Sequence, residues 1–258
     1  MHPRGLLIDI DGVLTVSWKP IPGSSEALGR LRESGITMAF LTNTTSMTRG
    51  SIAAALDEVG LPVEIEEILT APSMTAALIL RDHPGARCWM VGAGDVVVDL
   101  DGIHLVSAAE PPDVVILGGA GPEFDYPTLN RVFRLAMEGT PMVAMHRNVY
   151  WRTQDGLQLD TGAFLGAIEE AAGVRAAVAG KPSPACFQAG LEVLGLGPDQ
   201  VMMVGDDLDA DVKGAQALGI ESVLVRTGKF RNEALAHSQV VPDHVVDSFA
   251  DIPPMLGL

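Results

Sequence analysis

Two acids stand two residues apart at the end of an apolar run, Gly5-Leu6-Leu7-Ile8-Asp9-Ile10-Asp11-Gly12. The run has the length and branched composition of a buried strand. Alternation along a strand predicts that Asp9 and Asp11 project together. Carboxylates at the end of a core strand are costly unless a cation or a proton compensates them. Taken alone, such a pair is more often a strand that has simply reached solvent. Three further stretches shift that balance: Leu41-Thr42-Asn43, Gly180-Lys181-Pro182 and Gly205-Asp206-Asp207.

As one site these residues could transfer a phosphoryl group. Asp9 would be a carboxylate nucleophile. Asp11 would act as general acid and then as base, which needs an environment unlike that of Asp9. Asp206 could share a hard cation with Asp9, and an oxygen-rich site of this kind suits Mg2+. Thr42 and the amide after it, at a strand-to-helix junction, offer donors to phosphate oxygens. Lys181 adds fixed positive charge, and positioning with charge neutralisation is most of what this chemistry asks of a protein. Each part also has a plain structural reading. Thr42-Asn43 is ordinary turn chemistry, Lys181 a surface lysine, and Gly205-Asp206-Asp207 a helix cap. Asp207, Asp209 and Asp211 suit the first turn of the helix that follows. The four clusters together, each where the strand–helix register predicts, favour a site.

The elements that must position them alternate. Helices are predicted over 24–34 and 47–59, with a strand over 36–41 between them, while 16–23 reads as loop. That rhythm indicates βαβ units and a parallel sheet, with ligands at the carboxyl ends of its strands. The middle of the chain differs: a helix over 72–82, strands over 88–91, 114–117 and 142–145, and helices over 127–138 and 161–172. A β-hairpin joins 150–153 to 157–159 through Asp155-Gly156. The first rhythm then resumes with a helix over 184–194, a strand over 201–204, a helix over 209–218, and strands over 222–225 and 244–246. The expected fold is α/β: a Rossmann-like parallel sheet core with helices on both faces, from 1–80 and 178–258, and an inserted α/β cap domain over 81–177.

Bulk properties narrow the partners. The 258 residues can bury a full core, and a 19% charged fraction is that of a globular chain. A formal net charge of -16 argues against nucleic acid and against an anionic membrane surface, and it obliges any phosphate site to carry local cations. No apolar run approaches a membrane span, and the opening residues show no signal-peptide pattern. The two cysteines, Cys88 and Cys186, have no metal-ligand spacing. A cytoplasmic protein is expected.

The four stretches resemble the motifs of the haloacid dehalogenase superfamily of phosphohydrolases. Asp9-Ile10-Asp11-Gly12-Val13 matches the first, Leu41-Thr42-Asn43 the second, Gly180-Lys181-Pro182 the third, and Gly205-Asp206 with Asp211 the fourth. The insert between the second and third motifs is similar to the C2-type cap of subfamily IIA, which includes NagD-like and p-nitrophenyl-phosphatase-like enzymes. Gly180-Lys181-Pro182-Ser183-Pro184 and Val225-Arg226-Thr227-Gly228-Lys229-Phe230 most resemble the phospholysine/phosphohistidine/inorganic pyrophosphate phosphatase branch. The resemblance implies a Mg2+-dependent phosphatase acting on a small phosphorylated molecule, pyrophosphate or a phosphoramidate through an aspartyl-phosphate at Asp9. It implies metal ligation by Asp9, Asp206 and the Asp11 backbone carbonyl, and phosphoryl binding by Thr42, the Asn43 backbone and Lys181. Asp207 and Asp211 would stand behind the ligands. Some members of the branch have Ser where this chain has Asp11, and Asp207 replaces an Arg common in NagD-like members. From the cap, His146, Arg147 and Asn148 are candidates to meet the leaving group, or else an exposed loop. Apolar cap surfaces could mediate a homodimer. The competing reading is a non-catalytic acidic-pocket module that binds phosphate or metal.

Overall fold

The apolar run after Arg4 forms the strand Gly5–Asp9, buried along its whole length. Leu6, Leu7 and Ile8 are wholly inaccessible. A strand with no polar face must be covered on both sides, as parallel sheets are by their crossover helices. Gly5–Asp9 lies between Thr37–Thr42 and Val201–Gly205 and runs parallel to both, with Ile8 opposite Phe40 and Val204. The sheet has six strands in the order His244–Val246, Glu221–Val225, Val201–Gly205, Gly5–Asp9, Thr37–Thr42, Ile68–Thr70. The fold is therefore α/β, as the sequence predicts, with helices flanking a parallel sheet.

The computed structural model describes residues 3–92, 95–153 and 156–258. These form two compact units, one of Met1–Thr42, Arg49–Leu69 and Lys181–Leu258, the other of Asn43–Thr48 and Thr70–Gly180. In the first, helix Ser24–Glu33 turns Ala27, Leu28 and Leu31 inward. Helix Pro184–Leu194 starts at Ser183, whose hydroxyl accepts the Ala185 N–H, and stops at Gly195 in the left-handed region.

Two segments of this unit depart from the sequence reading. The stretch 16–23 is not all loop: Thr15–Val16 pairs antiparallel with Lys19–Pro20. Its turn is made by Ser17 and Trp18, both at positive φ (49° and 62°). Such turns normally announce themselves with Asn-Gly, and Ser-Trp gives no such signal. The helix expected over 209–218 instead opens as a π-helical segment, Leu208–Lys213, before a single α-turn at Gly214–Gln216. The Asp207 carboxylate caps it by accepting the N–H groups of Asp209 and Ala210. π-segments gather at functional sites, and this one begins one residue after Asp207.

The second unit holds a five-stranded parallel sheet in the order Ala177–Val178, Met142–Ala144, Val114–Leu117, Arg87–Val91, His104–Leu105. Helix Ala71–Asp82 belongs to this unit. Trp89, Val115, Leu117, Phe124, Val132 and Leu165 lie in its core, and the Arg131 guanidinium stacks 4.4 Å over the Trp89 ring. The hairpin Tyr150–Thr153 with Gly156–Leu159 forms as expected, with Tyr150 opposite Leu159. Asp155 at its expected tip, and the side chain of Trp151, lie outside the described residues. Among the described residues no helix is long and apolar enough to cross a membrane.

Candidate active site

Because neighbouring strands of the first sheet are parallel, their carboxyl ends bring together residues distant in sequence. Asp9 ends one strand, Thr42 ends the next, and Asp206 follows Gly205 on the other side. Asp9, Thr42, Lys181, Asp206 and Asp211 are all buried, Asp211 completely. The Lys181 ammonium sits 2.6 Å from Asp9 Oδ1 and 2.7 Å from Asp211 Oδ1. Burial alone would push this lysine down, but Asp211 and Asp9 outweigh it, and its pKa lies above the ordinary lysine value.

Asp211 reaches the cluster through the π-segment. Its Oδ2 accepts the N–H groups of Asp206 (3.2 Å) and Asp207 (3.1 Å). Gly205 leaves the space for it, since a Cβ there would stand 2.2 Å from the Asp211 Cβ. Asp206 is gripped by two loops. The Lys229 N–H donates to its Oδ2 at 2.6 Å. Gly12 and Gly228, both at positive φ, approach so closely that a Cβ on either would fall within about 2 Å of the same oxygen. The Thr227 hydroxyl ties the two loops by donating to the Gly12 carbonyl. Gly228 and Lys229 carry part of the family resemblance but are not among the expected site residues. The signal available was positional: a glycine just past Glu221–Val225, at the same end of the same sheet.

Charge balance leaves the cluster one cation short. Asp9, Asp206 and Asp211 each offer an oxygen within 4.8 Å of the others. Lys181 is the ammonium that pairs with two of them. The other oxygen of Asp206, Oδ1, is buried and has no hydrogen-bond partner among the described residues. Burial, followed by the Asp9 charge, pushes the Asp206 carboxyl up to about 7. Burial also raises Asp211 to about 6, with Lys181 opposing. An orphaned buried oxygen among crowded carboxylates, with only hard donors on offer, fits a divalent cation that prefers oxygen.

A stability dependence follows from these two raised carboxyls. In metal-free protein the folded form holds protons that the unfolded chain has released, so stability should fall as pH rises from the ordinary carboxylate range through about 7. A divalent cation would replace those protons. Thermal melts with EDTA and with Mg2+ should therefore diverge as pH rises from 5 to 8. A cation effect of the same size at every pH would contradict the assignment.

The strand ends at Asp9, so the alternation that would pair Asp11 with it stops there. Asp11 is exposed, bridges to Thr15, and accepts the Ser17 N–H at 3.3 Å. Asp207 caps the π-segment and lies 3.4 Å from the Lys229 ammonium. Burial works against its ionisation, but the Ala210 N–H and Lys229 hold its carboxyl below the usual range. Asn43 is in the second unit, where its side-chain oxygen packs against Gly180. His146 is buried there; its Nδ1 accepts the Asn148 N–H, and burial lowers its pKa. Arg147 is ion-paired with buried Glu169, which also takes Arg175. The Asn148 carbonyl accepts the Gly162 N–H.

Comparison with known proteins agrees with this arrangement. The sequence matches the haloacid dehalogenase-like hydrolase family over residues 6–105, and a second HAD-like hydrolase family over 178–252. It is 35% identical over 259 residues to the human phospholysine phosphohistidine inorganic pyrophosphate phosphatase, covering 98% of this chain and 94% of that one. It is also 35% identical to the human haloacid dehalogenase-like hydrolase domain-containing protein 2, over 88% of this chain and 86% of that one. The fold matches p-nitrophenyl phosphatase from Archaeoglobus fulgidus with a TM-score of 0.89 at 30% identity, covering 100% of this chain and 99% of that one. The chain belongs to the haloacid dehalogenase-like hydrolases and is a phosphatase of that family.

Proposed function

We propose that the chain is a Mg2+-dependent phosphohydrolase of small phosphorylated metabolites, or of pyrophosphate or a phosphoramidate, working through an aspartyl-phosphate on Asp9. The observation that carries this reading is the buried oxygen cluster at the strand ends, in which one ammonium serves Asp9 and Asp211 while Asp206 keeps an unpartnered oxygen. Lys181, 2.6 Å from Asp9 Oδ1, would hold the nucleophilic carboxylate in place. An Asp9 oxygen attacks phosphorus as the bond to the leaving group breaks, and Asp11 gives that group its proton. Exposure suits Asp11 to the second half: it takes a proton from water as the water oxygen attacks phosphorus, the Asp9–phosphorus bond breaks, and orthophosphate leaves.

Thr42, the Asn43 backbone and Lys181 would hold the phosphoryl oxygens. Asp9, Asp206 and the Asp11 backbone carbonyl would hold Mg2+, with Asp207 and Asp211 behind them. The bound cation would supply charge neutralisation. Residues 81–177 are read as a C2-type cap, with His146, Arg147 and Asn148 as its candidates to meet the leaving group; Arg147 already carries the Glu169 pairing. The proposed partner is a small molecule rather than nucleic acid or membrane, and a homodimer is compatible. Two buried, free cysteines support a cytoplasmic setting. A purely regulatory acid pocket is not favoured, since it leaves the acid–base residue Asp11 without a role.

The test is to trap the intermediate. Enzyme mixed with a phosphate ester and Mg2+, quenched in acid within milliseconds and digested, should carry one phosphoryl group on the peptide containing Asp9. EDTA should remove the label and the turnover together, and Mg2+ should restore both. Label on any other residue would overturn the nucleophile assignment.

A further inference from the structure

A cavity of about 330 Å³ opens beside the acid cluster within the first unit, and Asp206, Asp207, Lys229, Phe230, Arg231 and His237 are among its walls. Asp206 belongs to both the cluster and the cavity, so the two adjoin there. The acids on the walls are mostly occupied. Asp207 caps the π-segment and faces Lys229, Asp209 lies 3.7 Å from the Lys213 ammonium, and Asp206 Oδ2 takes the Lys229 N–H.

Arg231 is different. In a chain with 33 acidic and 17 basic residues, it has no carboxylate partner among the described residues. Its guanidinium is nevertheless anchored: Nη1 donates to the Phe230 carbonyl at 2.7 Å and to the Gly228 carbonyl at 3.3 Å. Among the described residues, Nε and Nη2 have no acceptor. A guanidinium fixed by backbone carbonyls and offering its other donors has already lost the rotamer freedom that usually weakens an exposed arginine, and the planar fork matches carboxylate and phosphate oxygens. His237 lies across the same space. Its Nδ1 stands 2.7 Å from the Glu233 carbonyl, which can only accept, so Nδ1 carries hydrogen and Nε2 is the ring atom left for a ligand.

We infer that Arg231 is a specificity-determining residue that recognises a second anionic group, carboxylate or phosphate, on a substrate seated at the acid cluster. The inference rests on the reading under Proposed function. It means that a phosphate ester with a neutral leaving group forgoes a contact that a doubly anionic substrate makes.

Isothermal titration in Mg2+ buffer, with inorganic phosphate and methylenediphosphonate as probes, tests this without turnover. Native protein should bind the diphosphonate at least tenfold tighter than phosphate. Arg231→Met should bring that ratio close to one, and Arg231→Lys should leave it in between, since an ammonium lacks the fork. Circular dichroism on the same samples checks that each variant is folded, and the lysine variant keeps the test alive if the methionine variant is not. Equal affinities in the native protein, or an undiminished ratio in both variants, would overturn the inference. Hydrolysis of p-nitrophenyl phosphate by native protein, measured in parallel, reports on the phosphatase mechanism itself. Failure there with the binding ratio intact would indict the mechanism and not Arg231.

Discussion

Asp9→Asn is expected to cut hydrolysis of a phosphate ester by at least about a thousandfold while leaving the protein folded. The amide keeps the shape of the carboxylate but cannot attack phosphorus. It also removes one negative charge from a cluster that has too many. Lys181 retains Asp211 at 2.7 Å, so no buried ammonium is orphaned, and the unfolding midpoint should hold or rise. Steady-state kcat with p-nitrophenyl phosphate and a thermal melt measure the two halves. Deamidation would regenerate Asp9, so Asp9→Ala is run beside it. Undiminished kcat in both variants would remove Asp9 from the mechanism.

Lys181→Met should act on stability as well as on rate. Lys181 is 5% exposed and its ammonium is shared by two buried acids, so deleting it strands them together beside Asp206. Breaking a buried pair by removing one partner typically costs about 3–5 kcal/mol. The sign of its pH dependence is fixed. Without the lysine nothing opposes the burial that holds the Asp211 carboxyl above its unfolded value, so the folded variant gains a proton on acidification and its deficit shrinks as pH falls. Adding Asp211→Asn should recover part of the loss at pH 8, because the amide oxygen can still accept the N–H groups of Asp206 and Asp207. Urea unfolding of native, single and double variants at pH 5 and pH 8 measures both effects. A deficit independent of pH would mean that Lys181 contributes packing rather than charge.

What the sequence revealed follows from what each residue answers to. Gly5–Asp9 is legible because a strand covered on both faces must be apolar throughout, and a parallel sheet then puts Asp9, Thr42 and Asp206 at one end. Lys181 gains meaning only in company with them. The parts that stayed hidden depend on geometry without a compositional mark. A π-segment has no residue pattern of its own, so the route by which Asp211 reaches Asp206 could not be read. Ser17-Trp18 conceals a turn that Asn-Gly would have displayed. Gly228 looks like any loop glycine until Asp206 is beside it. Arg147 looks like a free surface cation until the fold brings it to Glu169, 22 residues on.

The neighbours of Gly5–Asp9 also constrain how the protein is made. During synthesis the strand can pair with Thr37–Thr42 almost at once, but its other edge waits for Val201–Gly205, the last to leave the ribosome of the three. The Lys181–Asp9 contact likewise spans 172 positions. Through that interval a strand that is apolar up to its terminal Asp9 presents an open edge, the situation in which nascent chains cross-pair with one another. The five-stranded unit between the two halves is contiguous apart from Asn43–Thr48 and can fold first. Slow folding is thus expected of a sheet whose central strand is completed by a neighbour encoded far downstream of it.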